Sequence, residues 1–220
     1  MRNLLLLVCL LFTTTAFAQT PIGEGKVKKV KTQKSAIVVK SGMASFSIDN
    51  WKSDPSLFVQ AYWSMSGLMK PRNPESHWGF EAGLGIDYYG GTAEYDGAKK
   101  STGGEDIFML GLFDIPVNVK YILNPLSTRG HWILKGGLDL CPLEVGVPYE
   151  DYDSKSKYSH LESGIGIKAN FDASFGYEAK HWGVFVGGFV GVMGSYSSSE
   201  DSSGSGATSY GYYASLLYSF

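Results

Sequence analysis

The sequence predicts an all-β fold, an eight-stranded antiparallel up-and-down transmembrane β-barrel built as a meander, and three observations carry that expectation. The final stretch, Tyr210 to Phe220 (YGYYASLLYSF), alternates with period two: Tyr210, Tyr212, Ala214, Leu216, Tyr218 and Phe220 share one face, while Gly211, Tyr213, Ser215 and Ser219 share the other. Seven further alternating segments precede it. The composition, with 28 glycines, 14 tyrosines and no second long apolar run, favours one domain of many strands over helical membrane spans.

Met1 to Ala18 carries one Arg, an apolar run from Leu4 to Phe12 and the ending Ala16-Phe17-Ala18, the pattern of a cleaved secretory signal. A membrane-spanning helix needs ~20 apolar residues, and Thr13, Thr14 and Thr15 interrupt this run. A lipid-anchoring signal needs a small residue before its cysteine, and Val8 precedes Cys9. The mature chain is expected to begin at Gln19. Without Arg2 it holds 18 basic against 21 acidic side chains, a net of −3, so nothing points to a nucleic-acid partner. One cysteine remains, Cys141, and no intramolecular disulfide can form. Residues 19–35 carry Lys26, Lys28, Lys29, Lys31 and Lys34 against Glu24. They read as a periplasmic arm, either a solvated tail or a basic tether for anionic lipid head groups.

The barrel is expected over residues 36–220. Its segments run roughly from Ala36 to Asn50, Leu57 to Gly67, Trp78 to Gly90, Ile107 to Leu123, Trp132 to Leu143, Leu161 to Ala179, Trp182 to Tyr196 and Thr208 to Phe220. Linkers after even segments, LMKPRNPES, NPLSTRG and KH, are short or proline-bearing. Those after odd segments, GTAEYDGAKKSTGGED, EVGVPYEDYDSKSKYSH and SSSEDSSGSGA, are long and polar, with WKSDPS the short exception. Short periplasmic turns and long outer loops are the asymmetry of such barrels.

Alternation assigns the faces. In the sixth segment Ile165, Ile167, Phe171, Phe175 and Tyr177 oppose Lys168, Asn170, Asp172, Ser174 and Glu178. A Lys facing lipid at the bilayer midplane costs roughly 2–4 kcal/mol, so the charged face must be the lumen. In the third, Trp78, Phe80, Leu84, Ile86 and Tyr88 face outward and Glu81 and Asp87 inward. The fourth puts Ile107, Met109, Phe113, Ile115, Val117, Val119 and Tyr121 outward against Asp114, Asn118 and Lys120. The fifth sets Trp132, Leu134, Leu138 and Leu140 against Lys135 and Asp139. An eight-stranded interior is only just filled by side chains. Glu81, Asp87, Asp114, Asp139 and Asp172 with Lys120, Lys135 and Lys168 are therefore expected to form a polar network that plugs the lumen. The acidic excess leaves a narrow, cation-favouring path as the alternative.

His77-Trp78, His131-Trp132 and His181-Trp182 each follow a short turn, with Trp spacings of 54 and 50 residues. That is a hairpin-sized repeat. Trp78, Trp132 and Trp182 are expected in a periplasmic aromatic girdle, since indole favours the membrane interface. Adjacent residues on a strand point to opposite faces, so the three histidines do not read as a metal site. No cofactor is expected.

The terminal strand, with Tyr218 and the final Phe220, resembles the closing strand of bacterial outer-membrane barrels, where it serves as the signal for the assembly machinery. Phe113 to Tyr121, FDIPVNVKY, resembles the fourth-strand signature of Bacteroidota outer-membrane β-barrel domains, the PorT-like group, with the eight-stranded architecture of OmpA-like and OmpX-like barrels. The resemblance implies an outer-membrane barrel in contact with membrane lipids and lipopolysaccharide. For a minority of members it implies a role in protein secretion.

Catalysis, as in barrels that modify outer-leaflet lipids, would have to use His160 and Glu162 with Ser159, Ser163 or a serine from another strand. Ser159 and Ser163 point away from the first two, and the chain is not expected to be an enzyme. Tyr95, Tyr149, Tyr152 and Tyr158 stand among Asp, Gly and Ser in the outer loops and offer a surface for an extracellular partner. A soluble lipocalin-like barrel is the alternative fold, with the two faces exchanged.

Overall fold

A computed structural model describes residues 33–48, 51–69, 75–95, 100–101, 105–127, 129–153, 158–197 and 205–220. The expected signal peptide, and the expected arm as far as residue 32, lie outside the described residues. The strands are β1 (Gln33–Ile48), β2 (Trp51–Ser53), β3 (Ser56–Leu68), β4 (Trp78–Tyr95), β5 (Lys100–Ser101), β6 (Glu105–Ile122), β7 (His131–Asp153), β8 (Tyr158–Glu178), β9 (Trp182–Ser197) and β10 (Ser205–Ser219). Long strands adjacent in sequence pair antiparallel, and β10 returns to β1 in continuous register from Ala36↔Ser219 to Ile48↔Ala207. Eight staves thus close into a ring. Closure leaves no unpaired sheet edge around the wall, and the even count brings both strand ends to one rim, where Phe220 N donates to Ser35 O at 3.2 Å.

Two expectations about the connections are corrected. WKSDPS is not a loop: β2 pairs with both β1 and β4, so β2 and β3 form one stave interrupted only at Asp54 and Pro55. Pro55 cannot donate to the ladder, while Trp51 is buried and Phe46 N donates to Ser53 Oγ at 2.7 Å, which holds the stave together across the break. GTAEYDGAKKSTGGED and EVGVPYEDYDSKSKYSH are also largely strand. β7 and β8 pair onward from Val147↔Gly164 to Asp153↔Tyr158, beyond the last β6–β7 pair at Leu110↔Val145 and the last β8–β9 pair at Ile165↔Ser197. The sequence there is rich in charge, and two strands that pair with each other need no buried face to extend.

A third correction concerns phase. Ile107 and Met109 point inward and are buried, while Phe108 is exposed. The cause is an extra residue, Phe113, held at φ +62° where the β4–β6 register shifts. A bulge moves every later side chain to the opposite face. Pro116, with no N–H, sits where the β4–β6 ladder is already interrupted between Ala82↔Val117 and Gly85↔Asp114. Matching irregularities lie in β7 between Cys141 and Glu144 and in β9 at Val192, where Val192 and Met193 are exposed in succession.

In β8 the alternation holds on both sides of the register shift at Ala169, which is buried although its position falls on the outward face. Ile167 is exposed and Asn170 buried. Ile167→Lys is therefore expected to lower stability in lipid by roughly 2–4 kcal/mol, whereas Asn170→Lys, placed opposite Asp139, costs far less. Equal losses in vesicle-refolded protein would show the two faces to be misassigned.

Candidate functional site

The interior is the chemically distinctive part of this barrel, and it is layered. At the turn end, Ala36, Val38, Tyr62, Ile122, Ile133, Phe185 and Leu217 pack as one buried apolar cluster. At the hairpin end Phe46, Trp51, Phe58, Tyr89, Ile107 and Met109 form a second, with Phe189 against it. Phe58 and Phe189 lie 5.0 Å apart. The sequence predicted a polar lumen; these two clusters are a correction, and the bulge at Phe113 supplies part of the second one.

Between and beside the clusters lie the charges. Glu81, fully buried on β4, is 3.0 Å from Lys120 Nζ and 2.9 Å from Lys135 Nζ, and accepts from Tyr62 Oη at 3.1 Å. Lys120 also reaches Glu178 at 3.2 Å, which Lys34 approaches at 3.4 Å. Lys135 lies 3.8 Å from the centre of the Phe185 ring, a cation–π contact. Mid-barrel, Lys40 pairs with Asp172 at 3.0 Å and Asp139 at 3.4 Å, beneath Tyr213, whose hydroxyl donates to Asp172 at 2.7 Å. Gln60 Nε2 donates to Asp114 and, at 2.6 Å, to Asp139. Nearer the hairpin end Lys168 pairs with Asp87 and, at 2.7 Å, with Glu144. Gly111 has no room for a side chain here, since a Cβ would collide with the Asp87 carboxylate and lie 2.9 Å from Cys141 Sγ.

Thus the structure places Glu81, Asp87, Asp114, Lys120, Lys135, Asp139, Lys168 and Asp172 inside the ring, in three groups rather than one. Sequence reasoning missed Lys40, Gln60 and Glu144. Lys40 and Gln60 alternate with apolar neighbours in AIVVKSG and SLFVQAYWS and were legible. Glu144 was not, because it points inward only after the β7 irregularity.

Solved structures similar to this chain include Neisserial surface protein A (11% identity, 84% of this chain and 97% of that one, TM-score 0.40) and OprG of Pseudomonas aeruginosa (13%, 86% and 97%, 0.41). The outer-membrane protease OmpT of Escherichia coli is another (12%, 86% and 96%, 0.34). No protein-family model matches the sequence, and no curated protein matches it. Likeness at these identities and scores says nothing of activity.

At the turn end each of the three His rings meets a backbone carbonyl, His77 and His181 at the end of the following strand and His131 within its own turn. His77 Nδ1 donates to Ile122 O at 2.6 Å, His131 Nδ1 to Asn124 O at 3.0 Å and His181 Nδ1 to Ser219 O at 3.3 Å. A carbonyl only accepts, so each ring carries its proton on Nδ1. Ile122 N and Ser219 N donate back to His77 O and His181 O at 2.7 and 2.8 Å. The imidazole stands in for the next rung of the ladder where the backbone turns away. The following Trp is exposed on the outer wall. Trp78 packs on Tyr121 at 5.0 Å, Trp132 on Phe175 at 5.2 Å and on Tyr177 at 5.3 Å, and Tyr177 on Trp182 at 6.0 Å. Tyr218 faces Trp182 across the β9–β10 pairing, so the aromatic row runs from β4 to β10. Tyr218 and Phe220 are both exposed on the same wall.

His160 and Glu162 pair with Asp151 and Tyr149 on the projecting β7–β8 hairpin. Of their side chains, and those of Ser159, Ser163, Tyr95, Tyr149, Tyr152 and Tyr158, nothing is described.

Proposed function

We propose that the chain is a non-enzymatic outer-membrane barrel whose interior is a plug and whose outer hairpins serve a structural or binding role. One observation carries the reading: the ring is filled along its length by an aromatic cluster, ion-paired layers and a second apolar cluster. A general diffusion pore needs a wet, open lumen, and this one spends it on packed side chains.

The outer wall supports the membrane assignment. Ile86, Val119, Leu138, Phe171, Val186 and Leu216 are all exposed on it. Soluble proteins rarely expose contiguous apolar patches beyond a few hundred Å². A lipocalin-like barrel would bury these residues and solvate the lysines, and here the lysines are inside. Membrane lipids and lipopolysaccharide are the partners of such a wall, the assembly machinery is the partner of its last strand, and the β7–β8 hairpin is the surface offered to an extracellular partner. Placement in the Bacteroidota PorT-like group rests on FDIPVNVKY, whose Ile-Pro step lies at the interrupted part of the β4–β6 ladder.

Planar-bilayer recording of the refolded mature chain tests the plug. The expected result is no sustained conductance above the lipid background. Stable ohmic steps would establish a channel instead and overturn the reading.

A further inference from the structure

Among the described residues the acidic and basic groups inside the ring do not balance, and the imbalance is local. The turn-end group sets Glu81 and Glu178 against Lys34, Lys120 and Lys135. The groups above it set Asp87, Asp114, Asp139, Glu144 and Asp172 against Lys40 and Lys168. Each of those lysines is shared between two carboxylates. Asp114, only 1% exposed, makes no direct ion pair among the described residues, and the cation that acts on it, Lys168, is already held by Asp87 and Glu144. Its carboxyl is within hydrogen-bonding reach of Asp139, and the Gln60 amide nitrogen donates to both.

A second observation is independent of charge. Asp114 Oδ1, Asp139 Oδ1 and Gln60 Oε1 are all buried acceptors with no donor. The Gln60 amide cannot be turned to relieve this, because its oxygen would then face two carboxylates. Two buried carboxylates that share one amide donor, each with its other oxygen left without a donor, form a site that lacks one positive charge. An isolated buried carboxylate is so costly that it acquires a proton or a counter-ion instead.

We propose that Asp114, Asp139 and Gln60 form a binding site for one exchangeable monovalent positive charge, a proton or an alkali cation, at the centre of the plug. The groups facing it are Lys40 from β1, Tyr62 from β3, Asp87 from β4, Asp139 and Cys141 from β7, Lys168 and Asp172 from β8 and Tyr213 from β10. None of the two lysines is spare. The bound charge closes the Asp114–Asp139 contact, and its departure leaves the two carboxylates in repulsion and loosens the central layer. Asp114→Asn removes one charge and supplies an N–H in the same place, so it fills the site permanently.

The test measures the unfolding constant of the mature chain refolded in detergent, with wild type and Asp114→Asn compared from about pH 6 to about pH 9, in sodium chloride and in choline chloride. If the charge is a proton, the folded wild type binds one more than the unfolded chain, so stability falls as pH rises. The unfolding constant then climbs by up to about tenfold per pH unit. If it is an alkali cation, the constant rises when choline, too large for the site, replaces sodium. In either case Asp114→Asn folds and loses that dependence, while any dependence common to both chains cancels in the comparison. A wild type indifferent to both variables, a dependence that persists in Asp114→Asn, or an Asp114→Asn chain that cannot fold would each overturn the site. The inference rests on the membrane-barrel reading, and the two fail differently: a wild type that never gains a heat-sensitive gel shift in detergent refutes the barrel, whereas a folded but indifferent wild type refutes only the site.

Discussion

Glu81→Ala is expected to destabilise the refolded barrel by roughly 3–5 kcal/mol, the usual cost of leaving a buried charge without its partner. Glu81 holds two lysines and a tyrosine hydroxyl at once. Lys120 keeps its contact with Glu178 when Glu81 is lost, but Lys135 keeps the face of Phe185 and no more than a longer-range attraction to Glu178. The damage should therefore trace to Lys135. Lys135→Met in the Glu81→Ala background is expected to recover a large part of the loss, because it removes the stranded charge while keeping an unbranched apolar side chain beside Phe185. Denaturant titration of the four chains of this double-mutant cycle reads the coupling directly. A Glu81→Ala cost within about 0.5 kcal/mol, as for a surface substitution, would mean that water reaches this layer and that the plug is open at its turn end.

How much of this was legible in the sequence depends on where the period of two survives. In β8 and β10 the chain alternates through most of the wall, and Phe171, Asp172, Phe175, Leu216 and Tyr218 take the faces their positions dictate. The His-Trp repeat placed the turn-end rim because a turn followed by an outward indole recurs three times. The losses begin at the bulges. Phe113 adopts a backbone conformation that costs a non-glycine residue about 1–2 kcal/mol, and no residue type in MLGLFDIP advertises it. Ile107 and Met109 read as lipid-facing for that reason, and the aromatic cluster they join was invisible. Glu144 opens a polar stretch that has the composition of a loop, yet it lies within β7. A ladder between two mutually paired strands, as in the β7–β8 hairpin, needs alternation and hydrogen bonds but no apolar face.

The layering also assigns different work to the two kinds of interior contact. Apolar clusters at both ends exclude water from the middle, which strengthens every ion pair there and raises the cost of any unpaired group. The charged layers then fix register, since a one-residue slip of β8 would turn Lys168 and Asp172 outward into the apolar wall. Stability and specificity therefore lie in separate layers of one interior, and Glu81 belongs to the layer in which a single substitution is least tolerated.

Deletion of Phe220 is expected to produce the opposite pattern, severe in cells and mild in the test tube. Its side chain is 67% exposed on the outer wall, so its packing contributes well under the roughly 1.5–3 kcal/mol of a fully buried apolar residue. Its backbone N donates one hydrogen bond to Ser35 O at the seam where β10 meets β1, worth about 1 kcal/mol. Closure itself does not depend on either, because the β1–β10 register runs on through Ile48↔Ala207. Purified chain lacking Phe220 should therefore refold in detergent to nearly the wild-type extent. On the proposed reading of this strand as the assembly signal, the alternating exposed residues Tyr212, Leu216, Tyr218 and Phe220 are what is recognised before the ring closes, and loss of the last one is expected to reduce the outer-membrane level to a small fraction of wild type. Quantitative immunoblots of membrane fractions beside gel-shift refolding of the same variant separate the two effects. Normal abundance in the membrane would show that this strand is only the last stave of the wall and carries no assembly signal.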